Sequence, residues 1–227
     1  GLDVVRVLVA DDQALIRQAV VGILDLNDEI EVVGQAKDGY EAIDLVQESN
    51  PDVVLMDIRM PRLDGIEATK RICSGMPSTK VLILTTFEED EFVFAALRAG
   101  ASGFIGKGTE PEDIAEAIFS VHKGDALLSV KATQSLIESY LDSNSSTHLN
   151  KEIVNSLHHL TGREQEVLQA VGKGLSNQEI ADHFFISPLT VKTHVNRIMS
   201  KLHAHDRAQL VITAYEGGLV VPGSNQG

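Results

Sequence analysis

Acidic, hydroxyl and ammonium side chains follow four apolar runs in the first half of the chain, and together they suit chemistry on a phosphoryl group. They are Asp11, Asp12, Asp57, Thr85 and Lys107. Carboxylates held close together repel one another unless a cation binds, and oxygen ligands of this kind suit Mg²⁺. With the metal bound, one carboxylate can attack a phosphoryl group and form an acyl phosphate, while the metal, hydroxyl and ammonium balance charge on the phosphoryl oxygens. Each residue alone also fits an ordinary structural role, and it is the set that favours this chemistry.

The elements that must position these side chains are apolar runs that alternate with amphipathic segments. Strands are predicted at residues 4–10, 30–34, 53–56, 81–85 and 103–105. Helices are predicted near residues 14–26, 39–48, 65–76, 90–99 and 111–122. Short apolar strands separated by helices predict one doubly wound α/β domain with a five-stranded parallel sheet. Because ligands collect at the carboxyl ends of such strands, we expect the five side chains to converge on one edge.

A second kind of chemistry is suggested by the segment 187–202, which reads as a helix with two different faces. Between His183 and His205 there is no acidic residue, whereas Lys192, Arg197 and Lys201 are cations. At about 100° per residue, one side of the helix is apolar and the other is polar. The apolar side holds Val191, Val195, Ile198 and Leu202, and the opposite side holds Leu189, Thr193, Asn196 and Ser200. Polar groups in the middle and cations at the margins suit base edges in a major groove with phosphates on either side.

Helix start signals place this segment in a small all-α domain from Leu160 onward. Thr161 with Glu164, and Ser176 with Glu179, have the spacing of capping boxes. Ser187 followed by proline indicates a third helix start. A short helix, a tight turn and a polar-faced helix predict a helix-turn-helix. A helical protein-docking module is the alternative at this point.

The first half resembles the receiver domain of two-component response regulators, whose fold is flavodoxin-like. The resemblance covers about residues 4–123 and rests on VLVADD at 7–12, DIRMP at 57–61, LT at 84–85 and GFIGK at 103–107. It implies that Asp57 is the phosphoacceptor, that Asp11, Asp12, Asp57 and the backbone carbonyl of Arg59 bind Mg²⁺, that Thr85 and Lys107 bind the phosphoryl group, and that Phe104 turns inward when Thr85 moves. Gly108 stands where many receivers carry proline.

The second half resembles the DNA-binding domain of the LuxR, GerE and NarL regulators over about residues 158–221. LTGREQEVL at 160–168, LSNQEIA at 175–181 and SPLTVKTHV at 187–195 carry it. The resemblance implies base contacts by Lys192, Thr193 and Asn196, and phosphate contacts by Ser187, Thr190, Arg197 and Lys201. Relatives often have glycine at the position of His203, and the roles of His203 and His205 stay open.

Together the resemblances imply a NarL/FixJ-type response regulator, a cytoplasmic, phosphorylation-controlled transcription factor. Its expected partners are a sensor histidine kinase, promoter DNA and, on phosphorylation, a second copy of the chain. We expect a receiver domain at 1–125, a helical segment and flexible linker at 126–157, the DNA-binding domain at 158–221 and a tail at 222–227. The last helix, at 206–217, offers Leu210, Val211 and Ala214 as a candidate dimer face.

The charge is distributed unevenly along the chain. The net charge of −14 lies entirely in residues 1–155, which hold 13 basic and 27 acidic residues, while the remainder holds 6 of each. The hypothesis that follows is that the acidic domain masks the basic helix until phosphorylation.

The composition excludes several kinds of site. Cys73 is the single cysteine, so an intramolecular disulfide and multi-cysteine metal sites are excluded. No apolar run is long enough to span a bilayer.

Two alternatives stay open for the function. One is a DNA-binding regulator that acts without phosphorylation, against which the complete acidic set counts. The other is a Mg²⁺-dependent aspartyl phosphatase, whose haloacid-dehalogenase form needs a second acid two residues after the nucleophile. Arg59 stands at that position, so we expect no enzyme activity beyond the receiver's own phosphotransfer and dephosphorylation.

Overall fold

The computed structural model describes residues 3–85, 90–125 and 150–220 of the chain. The chain forms two compact units, Gly1–Leu127 and Leu128–Gly227. In the described ranges, no helix is both long and apolar enough to cross a membrane. Residues 126–149 of the predicted helical segment and linker, and the predicted tail at 222–227, lie outside the described residues.

The first unit is built on a five-stranded, wholly parallel sheet, as predicted from the sequence. Its strands are β1 (Val5–Ala10), β2 (Ile30–Ala36), β3 (Val53–Asp57), β4 (Lys80–Thr85) and β5 (Gly103–Gly106). Their order across the sheet is β2-β1-β3-β4-β5. Every residue of the central strand β3 is buried, as expected for a parallel strand covered on both faces.

Helices connect the strands and pack on the two faces of the sheet. They are α1 (Ala14–Asp25), α2 (Gly39–Ser49), α3 (Gly65–Gly75), α4 (Asp90–Ala99) and α5 (Pro111–His122). Helices α1 and α5 contact each other, whereas α2 contacts α3 and α3 contacts α4. One continuous apolar core joins β1, β3 and β4 to Val20 and Leu24 of α1 and to Ile114 and Ile118 of α5. The doubly wound arrangement is therefore confirmed.

The strand ends differ slightly from the prediction, and the difference matters for the site. Strand β3 continues one residue further than predicted because Asp57 pairs with Leu84 of β4. Likewise, β5 reaches Gly106, which pairs with Thr85. Asp57 and Thr85 are therefore the last residues of their strands, whereas Asp11, Asp12 and Lys107 directly follow theirs.

The second unit is helical throughout its described part. Its helices are α6 (Lys151–Ser156), α7 (Gly162–Gly172), α8 (Asn177–Phe184), α9 (Pro188–Leu202) and α10 (Arg207–Glu216), with a 3₁₀ turn at Leu157–His159. Both predicted capping boxes are present, at the starts of α7 and α8. Helices α7 and α10 pack together, and α9 packs against both α8 and α7.

Helix α6 was not predicted and lies in the range assigned to the linker. The backbone N–H of Asn150 donates to the carbonyl of Glu216 at 2.8 Å, and α6 contacts α10. Six residues are too few for a hydrophobic period to show in a sequence, so only the tertiary contact reveals this helix.

The candidate dimer face on the last helix is wrong, because its residues belong to the core of their own domain. Leu210, Val211 and Ala214 are all buried, and a Cβ added at Gly172 of α7 would lie 2.6 Å from the Cβ of Ala214. An apolar stripe on a helix fits a partner chain and an internal core equally well in sequence. Here the partner is α7.

Candidate functional site

Three carboxylates meet at the carboxyl edge of the sheet. Asp11 and Asp12 follow β1 and Asp57 ends β3, and each offers an oxygen within 4.8 Å of the others. Asp11 and Asp57 are buried, whereas Asp12 is exposed. Octahedral Mg²⁺ binds oxygens at about 2.0–2.1 Å, so opposite ligands lie about 4 Å apart. The donor set and its spacing therefore fit a hard divalent cation.

Asp11 supports this fit because one of its buried oxygens accepts no hydrogen bond from the described residues. Its Oδ1 accepts from the backbone N–H of Gln13 at 2.9 Å, while its Oδ2 is buried and has no such donor in the described ranges. The guanidinium of Arg17 donates to the backbone carbonyl of Asp11 at 2.7 Å and helps to fix this turn. A buried carboxylate oxygen without a donor is costly, and a bound cation would remove that cost.

Lys107 completes the cluster from the far strand. It follows β5, and its Nζ lies 3.2 Å from Oδ2 of Asp57 and 3.7 Å from Oδ2 of Asp11. Its backbone N–H donates to the carbonyl of Thr85 at 2.8 Å, so the loop after β5 is tied to the end of β4. The ammonium is therefore held where it can meet negative charge on the phosphoacceptor candidate.

The surroundings of Asp57 favour the protonated form of its carboxyl group. Burial, followed by the nearby charge of Asp11, raises the pKa of Asp57 to about 6, and the ammonium of Lys107 opposes the rise. Asp57 is thus mainly ionised at neutral pH, but its charge is poorly compensated. Additional positive charge at this edge would stabilise the ionised, nucleophilic form.

Thr85 and Phe104 lie on one face of two adjacent strands. Phe104 pairs with Ile83, and Gly106 pairs with Thr85. Since side chains alternate along a strand and paired residues share a face, Phe104 projects to the same side as Ile83 and Thr85. Thr85 is buried and Phe104 is half-buried. The two side chains therefore lie on the same face of neighbouring strands, offset by two residues in register.

The loop from β3 to α3 approaches the site very closely. A Cβ at Gly65 would lie 1.9 Å from the carbonyl oxygen of Asp57, and the Gly65 N–H donates to the carbonyl of Ile58 at 2.8 Å. Only glycine fits there, so α3 starts directly against the end of β3, which carries Asp57. The Arg59 guanidinium lies 5.7 Å from the centre of the Phe92 ring of α4. A surface depression of about 440 Å³ opens beside this loop and is lined by Asp12, Ile58, Arg59, Met60, Pro61, Asp64, Ile66 and Phe92.

Sequence reasoning missed an ion pair that braces the same loop. Buried Asp38 caps α2 by accepting from the N–H of Glu41 at 2.9 Å, and it also pairs with the guanidinium of Arg62. Burial opposes ionisation of Asp38, but the Glu41 N–H and the Arg62 guanidinium hold its pKa below the ordinary value. Arg62 takes a positive φ of 66° to make this contact. No local pattern links two residues so far apart in sequence.

Helix α9 of the second unit has the two faces that its sequence predicts. Val191, Val195 and Ile198 are buried. Leu202 is only partly buried. The residues Leu189, Lys192, Thr193, Asn196, Arg197 and Ser200 are exposed. The polar face is therefore available to a partner.

The turn before α9 has the geometry expected of a helix-turn-helix. Phe185, whose φ is 55°, caps the C-terminus of α8, and the N–H of Ile186 donates to the carbonyl of Ala181 at 3.1 Å. The Ser187 hydroxyl then caps α9 by accepting from the N–H of Thr190 at 3.1 Å. Only one residue, Ile186, separates the two caps, so α8 fixes the start of the exposed helix.

Lys201 is placed differently from the other candidate DNA contacts. Its Nζ lies 2.6 Å from Oε1 of Glu164, the buried capping residue of α7. Burial opposes ionisation of Glu164, but the Lys201 ammonium and the Thr161 backbone N–H outweigh it and hold the Glu164 pKa below its ordinary value. Within the described parts of the chain, Lys192 and Arg197 make no ion pair. All three expected cations are thus exposed, but Lys201 is paired with Glu164 whereas Lys192 and Arg197 have no ion pair among the described residues.

The two histidines after α9 occupy structural positions. His203 takes the left-handed conformation, with φ 55°, that ends the helix, a conformation that glycine adopts most readily. Nε2 of His205 lies 3.3 Å from Oδ2 of Asp206, the residue that caps α10. As far as the described residues go, the only group of three metal-binding side chains is the aspartate cluster.

Both halves of the chain match established domain families. Residues 7–119 match the response regulator receiver domain, and residues 158–214 match the bacterial regulatory proteins of the luxR family. The transcriptional regulatory protein YxjL of Bacillus subtilis is 42% identical, across 96% of this chain and 98% of its own. The transcriptional regulatory protein LnrK of the same organism is 39% identical, across 96% of this chain and 99% of its own.

A solved structure agrees with these relatives over nearly the whole chain. The response regulator ChrA of a heme-sensing two-component system is 32% identical, with a TM-score of 0.51, and the match covers 96% of this chain and 100% of that one. The similarity thus extends to the order of the two domains.

Proposed function

The chain belongs to the LuxR-family response regulators, which are two-component transcriptional regulators, and we propose that phosphorylation of Asp57 controls its binding to promoter DNA. A sensor histidine kinase is the proposed phosphoryl donor. The observation that carries the proposal is the convergence of three carboxylates and the Lys107 ammonium at one sheet edge, with Asp57 at 3.2 Å from that ammonium.

We assign the metal to Asp11, Asp12, Asp57 and the backbone carbonyl of Arg59. When bound, Mg²⁺ would supply positive charge against the carboxylates and the phosphoryl oxygens. An oxygen of Asp57 attacks phosphorus while the P–N bond to the kinase imidazole breaks, and the electron pair of that bond returns to the imidazole nitrogen. Lys107 is held where it stabilises the new phosphoryl oxygens, and we assign the Thr85 hydroxyl to the same group.

The switch follows from the added charge. An aspartyl phosphate carries about −1.5 to −2 charge in a buried site, so Thr85 and Phe104 on their shared face would rearrange to meet it. Phosphorylation shifts an equilibrium only if two states bind the phosphoryl group differently. We propose that the phosphorylated state dimerises through a surface other than the buried Leu210, Val211 and Ala214.

We propose that α9 lies in the major groove of promoter DNA, and we therefore place the action of the protein in the cytoplasm. Lys192, Thr193 and Asn196 would contact bases, while Ser187, Thr190 and Arg197 would contact phosphates. Lys201 is left out because its ammonium is paired with Glu164. Masking of this face by the acidic first domain is our hypothesis for the unphosphorylated state. A chain starting at residue 150 should then bind DNA more tightly than the full unphosphorylated chain.

Neither alternative function has a comparable observation in its favour. A regulator that acts without phosphorylation would not need three carboxylates gathered beside the Lys107 ammonium. An aspartyl phosphatase would need an acid where Arg59 stands, and the Arg59 side chain is turned toward Phe92.

The proposal has a test in two parts. The full chain is treated with acetyl phosphate, with Mg²⁺ or with a chelator, and its intact mass is measured. It is also offered a pool of randomised duplexes with beryllofluoride and Mg²⁺. We expect one added phosphoryl group only with Mg²⁺, and enrichment of one sequence motif. The absence of either result contradicts the corresponding half of the proposal.

A further inference from the structure

One large apolar side chain stands alone on the polar face of α9. Leu189 is 73% exposed, and at about 100° per residue it projects between Asn196 and Thr193. Single exposed leucines are common on proteins, and Leu26 of the first unit is 85% exposed. What distinguishes Leu189 is its surroundings, because the neighbouring positions on this face are polar or cationic.

The immediate neighbours of Leu189 already use part of their hydrogen-bonding capacity inside the helix. The Thr193 hydroxyl donates to the carbonyl of Leu189 at 3.1 Å. Thr193 therefore keeps an acceptor oxygen and a methyl group for an outside partner. The centre of the face thus offers a small apolar spot, with Lys192 on one margin and Arg197 on the other.

The position of Leu189 along the helix favours DNA over a protein as the partner. Leu189 is the second residue of α9, after Pro188, and the first turn of a recognition helix is the part that reaches base edges. The two flanking cations lack an ion pair among the described residues, so the charge of each can act on a polyanion such as DNA. In the major groove, the apolar group that a base presents is the 5-methyl of thymine.

We propose that Leu189 packs against the 5-methyl group of a thymine and makes the protein selective for thymine at that position. This inference rests on the proposed DNA binding by α9 and adds a specificity-determining residue to it. Leucine has no hydrogen-bonding group, so it reads the methyl by contact alone. Removing that methyl from the DNA should therefore weaken binding by about the free energy of burying one methyl group.

The test uses deoxyuridine, which differs from thymidine only by that methyl. The probe is the duplex that the full chain selects from a randomised pool in beryllofluoride and Mg²⁺. Each thymine is replaced in turn by deoxyuridine, and affinity is measured at fixed salt. For the unsubstituted protein, we expect at least one position where the replacement weakens binding about three- to fivefold.

Variants of Leu189 decide the assignment. Leu189→Ala should bind the thymine and deoxyuridine duplexes equally at that position, and Leu189→Met, which stays apolar, should keep part of the difference. Leu26→Ala is the matched control, an exposed leucine on the first unit, and it should keep the whole difference. Lys192→Ala should weaken both duplexes by the same factor.

The outcomes separate this inference from the function on which it rests. If a motif is selected but Leu189→Ala keeps the full preference for thymine, Leu189 is not the reader, although DNA binding stands. If no replacement by deoxyuridine weakens binding, thymine methyls are not read, and the inference fails. If the pool yields no motif, sequence-specific binding itself is contradicted, and the inference fails with it.

Discussion

The two functional regions of the chain are built in opposite ways. The proposed phosphoryl site collects Asp11, Asp57 and Lys107 from the ends of three strands that are distant in sequence, and both carboxylates are almost fully buried. The proposed DNA-binding surface is a single helix, α9, whose polar face is exposed. A site that performs chemistry gains from low dielectric and fixed distances, whereas a surface that reads a duplex must be open to it.

Their electrostatics differ in the same sense. At the first site, carboxylates lie close together in a buried position, and burial together with the charge of Asp11 raises the pKa of Asp57 to about 6. On α9, Lys192 and Arg197 stand apart, and the third cation of that helix is neutralised by Glu164. The first region is thus short of positive charge and the second has a surplus. A divalent cation would supply the positive charge that the first region lacks. A polyanion such as DNA would neutralise the surplus positive charge on α9.

The largest expected effect comes from removing the acceptor in the buried region. Asp57→Asn should reduce phosphoryl incorporation from acetyl phosphate by at least about a hundredfold, because an amide is not a competent nucleophile. The intact mass of the treated protein measures this incorporation. Asp44→Asn, at an exposed position on α2, is the matched control and should incorporate normally. Incorporation in Asp57→Asn at the normal rate would move the acceptor to another residue.

The exposed region should respond to two cations in different ways. Lys192→Ala should weaken binding to the selected duplex by about 1–3 kcal/mol and relax its specificity if the contact is to a base. Arg197→Ala should weaken selected and random duplexes alike and lower the salt dependence by about one counterion. Titrations at several salt concentrations measure both. An equal loss on both duplexes for Lys192→Ala would move that contact to the backbone.

The Lys201–Glu164 pair should behave as a structural contact rather than a DNA contact. Lys201→Met should lower the free energy of unfolding of the second unit by roughly 1–3 kcal/mol, since a buried carboxylate loses its charged partner. The urea midpoint of the magnetic resonance signals of α7 measures this. Glu164→Gln keeps the capping geometry, and adding Lys201→Met to it should cost much less. Equal costs in both backgrounds would show that the two side chains act independently.

The pH dependence of the same signals gives the smallest effect. The pKa of Glu164 is lowered in the folded chain, so its ionised form stabilises the fold. That contribution is complete above about pH 4.3, the ordinary glutamate value, and is lost as the pH falls through the lower folded pKa. The advantage of the natural chain over Glu164→Gln in urea midpoint should therefore shrink as the pH falls below about 4.3. An advantage that grows on acidification would reverse the sign of the pKa shift.

Sequence patterns were sufficient for the sheet and for most of the site. The apolar runs mark the strands, and the side chains that follow them, Asp11, Asp57 and Lys107, meet because parallel strands end at one edge. Contacts between distant elements were not predictable. Asp38 with Arg62 and Glu164 with Lys201 depend on how a loop and two helices dock, and neither pair has a local spacing rule.

Two other features illustrate what a pattern cannot decide. The apolar stripe of Leu210, Val211 and Ala214 was read as a dimer face, but it packs against α7 in its own domain. Helix α6 escaped prediction because it is short and held by tertiary contacts. Hydrophobicity shows that a face is covered, and only the fold shows by what.

The central claim is that the buried acidic region controls the exposed reading region. The most direct test is the affinity of the full chain for its selected duplex, measured with and without beryllofluoride and Mg²⁺. We predict that the phosphoryl mimic strengthens binding at least about tenfold, a coupling of about 1.4 kcal/mol, and that Asp57→Asn shows no such gain. Equal affinity of the natural chain in the two conditions would contradict the claim.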